Sequence, residues 1–346
     1  MNRMKVRLRI NFMLVGVVTA LAFTSAGCTT PMNTLRPESN YADWIASIYW
    51  EAIGFYSLVL ALVIFLIVLV LTKYSTRRPQ AVRQPPVHVG EHLAIEGAWT
   101  IGPAAILLLI AFPAIIFNFV TEPNTPPANA LHIQVIGHQW WWEFRYPSLG
   151  IITANEAHLP IHRPIYFTVN TADVIHSFWV PRLGGKRDLI PNHTNEIILT
   201  ATRAGEYYGQ CAEFCGLSHA NMRMRVFVDQ PQEFGRWVAD QRSVPRIPEP
   251  TESDYTQLHA GMELFEGSLC TTCHAIRGIS RGPLAPDLTH FGSRTTLAGG
   301  TLPNTSAMVA AWIRDPSDLK PGAKMPALAL SPGQLADISA YLRSLH

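Results

Sequence analysis

Charge is scarce in this sequence. Acidic and basic residues together fill 15% of its 346 positions and nearly cancel, leaving a formal net charge of +2. Without a basic excess the chain has no electrostatic footprint for nucleic acid, which excludes that class of partner. The shortage is also uneven. Two stretches carry no charge at all, so part of the chain is expected in a membrane and the rest forms two or three compact units.

The first uncharged stretch, Ala52 to Thr72, is dominated by Leu, Val and Ile, and the second, Gly97 to Thr121, holds Pro103 and Pro113. At about 1.5 Å per residue each spans a hydrocarbon core about 30 Å thick, and membrane helices tolerate such prolines. Helices are therefore expected over about 48–72 and 97–120. Lys73, Arg77, Arg78 and Arg83 lie between them, whereas Arg36 alone precedes the first closely and no basic residue directly follows the second. That asymmetry puts the connecting loop in the cytoplasm and everything after Thr121 on the outer side. Residues 1–27 read as an export signal, with Arg3, Lys5, Arg7 and Arg9 ahead of an uncharged run from Phe12 to Gly27. Ser25-Ala26-Gly27-Cys28 resembles a bacterial lipoprotein cleavage site, although an aliphatic residue is usual where Ser25 stands; an ordinary cleaved signal is the alternative.

Cysteine is scarce as well, with five in the chain, but the four after Cys28 fall into two clusters. Cys211, Cys215, His219 and Met222 place two thiolates, an imidazole and a thioether within twelve residues. Soft donors of this kind select copper, zinc or iron. Cys270-Thr271-Thr272-Cys273-His274 is the C-x-x-C-H pattern of covalent haem attachment. Disulfides are the bland alternative for both pairs on an oxidising side, but a disulfide needs no His or Met beside it.

From Leu131 the pattern turns extended. Strand-like runs appear at Leu131 to Val135, Ile165 to Asn170, Asn195 to Ala201 and Met222 to Val228, punctuated by turn formers, with no long helical segment between them. A Greek-key sandwich or barrel is expected. His176 adds a second imidazole thirty-five residues before Cys211. A zinc site would use Cys211, Cys215, His176 and His219 and leave Met222 idle, and a mononuclear blue-copper site would leave one cysteine idle. Two thiolates bridging two coppers would use every donor.

This set, His176 with Cys211-Ala212-Glu213-Phe214-Cys215 and His219, Met222, resembles that of subunit II of the haem-copper cytochrome c oxidases. The resemblance implies a binuclear CuA centre held by the side chains of His176, Cys211, Cys215, His219 and Met222 and by the Glu213 carbonyl. It also implies a magnesium site reached by the Glu213 carboxylate at the junction with subunit I; a solvated loop carboxylate is the alternative. Gly137-His138-Gln139-Trp140-Trp141-Trp142-Glu143 is a second family mark. Three tryptophans in a strand cannot all face inward, so at least one is exposed or lies at an interface. The resemblance picks Trp140 as the aromatic through which electrons reach CuA; an aromatic at the membrane border is the alternative. Glu96-Gly97-Ala98-Trp99-Thr100-Ile101-Gly102-Pro103 resembles the family's E-x-x-W-T-x-x-P, which places Glu96 near the cytoplasmic mouth of a proton path, or leaves it serving the helix dipole. One departure stands at Lys186-Arg187-Asp188-Leu189-Ile190-Pro191-Asn192-His193, where the family commonly has Pro-Gly-Arg at the end. Asn192 can take the left-handed turn of the glycine, but the arginine is missing, and His193 is no ligand candidate.

Pro245, Pro248 and Pro250 make 243–253 a semi-rigid spacer, and the residues from about Asp254 are expected as a separate domain. Tyr255 to Phe265 reads as a helix before the haem motif, and Ser331-Pro332 opens a final helix. Gly261 and Tyr341 resemble the crossing point of the terminal helices in cytochromes c. Cys270 and Cys273 would then form thioethers, His274 would be the proximal ligand, and Met325 the distal one. Met308 competes on type alone but falls in an amphipathic helical run.

The whole chain resembles subunit II of a caa-type oxidase. The implied fold is multidomain: signal peptide 1–27, N-terminal segment and two-helix transmembrane hairpin 28–125, all-β cupredoxin-like Greek-key barrel 126–242, linker 243–253, and all-α class I cytochrome c domain 254–346. Reduced cytochrome c or a similar donor would feed haem c, then CuA, then haem a of subunit I, with subunit III as a further partner, in a bacterial cytoplasmic membrane and with both metal domains outside. This chain has too few membrane histidines to hold the oxidase haems, so oxygen reduction and proton pumping fall to subunit I. One rival shares the copper set, a CuA-bearing subunit of a nitric oxide reductase; another, of a different class, is a membrane-tethered copper carrier that binds copper for delivery and has no use for haem.

Overall fold

In the computed structural model, residues 30–73, 90–121, 125–245 and 247–346 are described. The export signal, the cleavage position Cys28 and the loop arginines Arg77, Arg78 and Arg83 lie outside them. Helix α1 (Asn40–Lys73) starts where the Ser39 hydroxyl accepts from the Ala42 amide at 3.0 Å, with Asp43 in its first turn at the positive end of the dipole. It begins some eight residues before the expected start at about 48, because the cap sets the helix start and the apolar run marks only the membrane-length part. Helix α2 (Leu93–Thr121) likewise starts ahead of 97, where the Glu96 carboxylate accepts from the His92 amide at 3.1 Å. Both helices are long and apolar enough to cross a membrane. Their polar side chains bond back along the helix, Thr72 Oγ1 to the Val68 carbonyl and Asn118 Nδ2 to the Ala114 carbonyl, and Trp44 packs on Phe117 at 6.4 Å. The described residues between 43 and 121 form one compact unit, and the other described residues form a second.

The second unit begins as a β-sandwich. One sheet has the order β3-β2-β1-β5-β8, with β1 (Leu131–His138), β2 (Trp141–Tyr146), β3 (Ile151–Ala154), β5 (Pro164–Thr171) and β8 (Asn195–Thr200). The other has the order β4-β10-β9-β6-β7, with β4 (Glu156–Pro160), β6 (His176–Trp179), β7 (Arg187–Leu189), β9 (Gly205–Cys211) and β10 (Arg223–Asp229). β1 with β5 and β10 with β4 run parallel; the other pairs are antiparallel. Strict alternation of buried and half-buried residues along β1 follows the pleat of a strand with one face on the core. Phe178 on β6 joins the sheets, packing on Trp142, Phe144 and Phe167 at 5.8, 6.4 and 5.6 Å. Helix α3 (Pro231–Arg242) seats Trp237 on His158 and Tyr146.

The C-terminal region has its own apolar core, built from Phe265, Ile276, Val309, Ile313, Ile338, Tyr341 and their neighbours. Its helices are α4 (Tyr255–Glu266), α5 (Cys270–Cys273), α6 (Ser306–Arg314), α7 (Pro316–Leu319) and α8 (Pro332–Ser344). Helices α4 and α8 cross at Gly261, where an added Cβ would stand 2.2 Å from the Asp337 carbonyl oxygen. Ser331 caps α8 reciprocally with Gln334, and Pro332 fills the first turn.

This region packs against the sandwich within the same compact unit. Glu156, at the sheet edge and 4% exposed, accepts from the amides and hydroxyls of both Thr295 and Thr296 at 2.6–3.0 Å. Arg277 reaches back to the carbonyls of Gln241, Arg242 and Ser243 at the end of α3. A carboxylate ringed by donors and a guanidinium on orphan helix carbonyls are charge-assisted contacts, which exceed ordinary hydrogen bonds in strength.

Candidate functional site

The copper-type donors converge at one end of the sandwich. β6 starts with His176, β9 ends with Cys211, and the loop between β9 and β10 supplies Cys215, His219 and Met222. Cys211 Sγ lies 3.8 Å from Cys215 Sγ, 3.8 Å from His176 Nδ1 and 3.2 Å from the Glu213 carbonyl oxygen. Cys215 Sγ lies 3.6 Å from His219 Nδ1 and 3.9 Å from Met222 Sδ. No disulfide joins the two sulfurs, and His176, Cys211, Cys215 and Met222 are buried. Every copper donor expected from the sequence is brought together, including the Glu213 carbonyl, while the Glu213 side chain is exposed. The sequence context makes room for this. Gly137 is needed on β1 because a Cβ there would stand 2.8 Å from the His176 ring.

A further layer, not legible as ligands, holds these donors in place. Asp173 Oδ1 accepts from His176 Nε2 at 2.8 Å, which turns Nδ1 toward the sulfurs. The Gln139 and Val174 amides also donate to Asp173, and these bonds with the one from His176 outweigh burial and hold its carboxyl well below the usual range. Burial lowers the His176 pKa, but its bonds to Asp173 and Cys211 outweigh that and raise it. The Cys211 thiol is held low first by the Cys215 S–H beside it, against desolvation, and Cys215 is pushed up as its partner ionises. Asp173 was detectable in principle, three residues before His176; Gln139 stood in the tryptophan motif, but nothing local showed that its Nε2 donates to the Cys215 carbonyl at 2.7 Å.

The three tryptophans part company, two on β2 and one in the turn before it. Trp142 is fully buried in the sandwich, Trp141 stacks on His138 at 4.1 Å, and Trp140, in the turn before β2, is 8% exposed. Trp140 Nε1 donates to the Cys215 carbonyl at 3.0 Å. Its cover is the C-terminal region, so the interface is internal to the chain. Asn192 takes the left-handed turn, at φ +62°, and His193 bonds Asn195 away from the donor cluster. Glu96 stands in the first turn of α2 as the acceptor for the His92 amide.

The haem-type residues surround a cavity of about 640 Å³. Cys270, Cys273 and His274 line one side, Met325 lines it from the loop after α7, and Trp140, Trp312, Leu297 and Arg294 complete the wall. His274 Nδ1 donates to the Pro286 carbonyl at 2.7 Å, which leaves Nε2 for a ligand. Gly282-Pro283-Leu284 lies flat on this histidine, since a Cβ on Gly282 would stand 2.6 Å from the His274 amide nitrogen. Met308 packs on the apolar core instead, as its place on α6 predicts. Arg294 Nε is buried and finds no partner among the described residues, a donor suited to an anionic edge. The volume, the thiol pair, the oriented imidazole and this unpaired donor fit a haem carrying acidic substituents.

Between the two clusters lies Lys320. It is 4% exposed, and its ammonium donates to the Trp140 carbonyl at 2.6 Å and to the Ala298 carbonyl at 2.9 Å. Burial pushes its pKa down to about 7, with Cys215 opposing the shift.

Comparison with known proteins gives three family matches: cytochrome c oxidase subunit II, transmembrane domain, over residues 39–117; cytochrome c oxidase subunit II, periplasmic domain, over 151–228; and cytochrome c over 258–346. Cytochrome c oxidase subunit 2 of Alkalihalophilus pseudofirmus is 36% identical over 92% of this chain and 93% of its own length. That of Bacillus subtilis is 30% identical over 96% and 97%. Among solved structures, the periplasmic domain of subunit II of cytochrome oxidase from Bradyrhizobium japonicum is 34% identical, covering 34% of this chain and 97% of that one, with a TM-score of 0.33.

Proposed function

The chain belongs to the cytochrome c oxidase subunit II family, with a C-terminal cytochrome c domain, and from that premise we propose which of its residues carry electrons. It is the subunit through which electrons from a cytochrome c donor enter a respiratory terminal oxidase and pass to subunit I, where oxygen is reduced to water with proton translocation. It is a two-helix membrane protein that binds copper and haem c. Copper carriage without electron transfer leaves the cytochrome c domain without a use, and the relatives are oxidase subunits rather than nitric oxide reductase subunits.

The side chains of Cys211, Cys215, His176, His219 and Met222 and the Glu213 carbonyl would hold the copper as a binuclear CuA centre, with both thiolates shared between its ions. The single supporting observation is the sulfur pair at 3.8 Å, each sulfur with its own imidazole at 3.6–3.8 Å. When bound, the copper pair and the haem supply one-electron carriers. What the chain supplies is fixed geometry: Asp173 orients His176, Gln139 and Trp140 hold the Cys215 carbonyl, and the sandwich excludes water from the sulfurs. Cys270 and Cys273 would attach the haem and His274 and Met325 would ligate its iron, a methionine paired with a histidine raising the potential of such a haem. Trp140, in contact with both sites, carries electrons to the copper pair. The exposed Phe214, 77% accessible beside Glu213, supports a face toward subunit I, with the Glu213 carboxylate reaching a magnesium ion there. Subunit III completes the complex, and Glu96, while capping α2, serves the cytoplasmic mouth of a proton path. The metal regions, 126–242 and 254–346 joined by 243–253, lie on the outer face of the membrane.

Purification with the partner subunits tests the copper assignment. Wild type should hold a pair of coppers per covalent haem and show mixed-valence near-infrared absorption; Cys211→Ser or Cys215→Ser should remove that absorption and oxygen uptake with reduced cytochrome c. Retention of both in either variant would refute bridging.

A further inference from the structure

The loop that brings Met325 to the haem cavity does not hang free. Residues 320, 321, 322 and 324 each touch a group that braces the copper donors. Lys320 Nζ donates to the Trp140 carbonyl, and Trp140 in turn donates to the Cys215 carbonyl. Buried Ser218, the neighbour of His219, donates its hydroxyl to the Pro321 carbonyl at 2.5 Å. Gly322, at φ +79°, lies flat on the Trp140 ring, where a Cβ would stand 3.0 Å away. Lys324 Nζ stands 3.6 Å from Asp173, which orients His176. A second strand of contact runs beside it: the Arg223 amide, next to Met222, donates to the Gly299 carbonyl at 2.8 Å, and Gly299 has no side chain where a Cβ would meet the Lys320 ammonium at 2.3 Å.

Among these contacts Lys320 has the least reason to exist for stability alone. It is an ammonium buried without a carboxylate partner among the described residues, satisfied by two carbonyls, one from each side of the joint. Desolvating a lysine in this way is unfavourable, and an apolar side chain would fill the space at lower cost. What an apolar side chain cannot do is hold both carbonyls at once.

We propose that Lys320 is a positioning residue for electron transfer between the two centres, fixing the Met325 loop on Trp140 so that haem ligation and the bracing of the copper loop are coupled. The step it serves moves one electron from ferrous haem c, which becomes ferric, to the copper pair, and moves no proton. The proposal rests on the ligand assignments given above.

The test uses the purified complex as wild type, Lys320→Met and, as a milder probe of the same joint, Ser218→Ala. Amide exchange at Arg223 and Ala323, the methionine-to-iron charge-transfer band, the near-infrared absorption, and the separate rates of donor-to-haem and haem-to-copper transfer are read. Lys320→Met should speed exchange at Arg223 by about tenfold or more, weaken the charge-transfer band and slow haem-to-copper transfer, with near-infrared absorption unchanged. Ser218→Ala should shift the same quantities less, and decides the matter where Lys320→Met fails to assemble. Unchanged exchange and unchanged haem-to-copper transfer in the variant that assembles would overturn the proposal. Wild type without either absorption would instead overturn the ligand assignments.

Discussion

Around the copper loop, donors from two strands and one loop stand within 3.2–3.9 Å of their neighbours, and four of the five donor side chains are buried. Around the haem pocket, the corresponding residues stand on the walls of a cavity of about 640 Å³, and none of Cys270, Cys273, His274 and Met325 is fully buried. The two regions differ because the sandwich closes its own core with Trp142, Phe144, Phe167 and Phe178, so its loops are carried on a finished support. The C-terminal helices close only part of theirs, and Phe291, Ile313 and Leu342 end at the cavity. Copper coordination is thus a property of the polypeptide's own packing, whereas the haem region is shaped to be completed by its cofactor.

The largest effect expected from that contrast is at the helix crossing. Gly261→Ala puts a Cβ against the Asp337 backbone, and separating α4 from α8 should destabilise the haem region by about 3 kcal/mol. Thermal melting followed at the haem Soret band should fall while the near-infrared copper band persists at lower temperature; simultaneous loss of both would mean that the two regions share one fate. Next comes Asp173→Asn, which leaves all copper donors in place but weakens the orientation of His176. Copper affinity should fall about 10–100-fold, or about 1.4–2.8 kcal/mol, measured by chelator competition. Unaltered affinity would mean that the sandwich alone holds His176. The smallest is Glu156→Gln at the joint, which keeps an acceptor oxygen but loses the charge. It should weaken docking by about 1 kcal/mol, read as faster amide exchange at Thr295 and Thr296 with both absorption bands intact. Exchange that stays slow would assign the docking to apolar contact.

Much of the site was legible because its signals are short in sequence. Cys211, Cys215, His219 and Met222 share one loop, Cys270 to His274 one turn, and the caps at Ser331 and Pro332 one helix start, so spacing alone limits how they can meet. Other readings depended on contacts that no window contains. The cap at Ser39, the bond from His92 to Glu96, the pleat that buries Trp142 and the turn that sets Trp140 against the haem region all needed the folded backbone. Arg294 and Lys320 carried no motif; they matter because of what surrounds them.

The sequence by itself determined the donor chemistry, the two apolar spans, the haem attachment and the order of the regions, since residue type and local spacing decide these. Tertiary structure decided that His176 meets sulfurs thirty-five residues away, that Asp173 faces its far nitrogen, and that the Met325 loop rests on Trp140. Those meetings arise from sheet pairing and from buried polar groups finding partners across two cores, a condition set by the packing of the whole unit and by no segment of it alone.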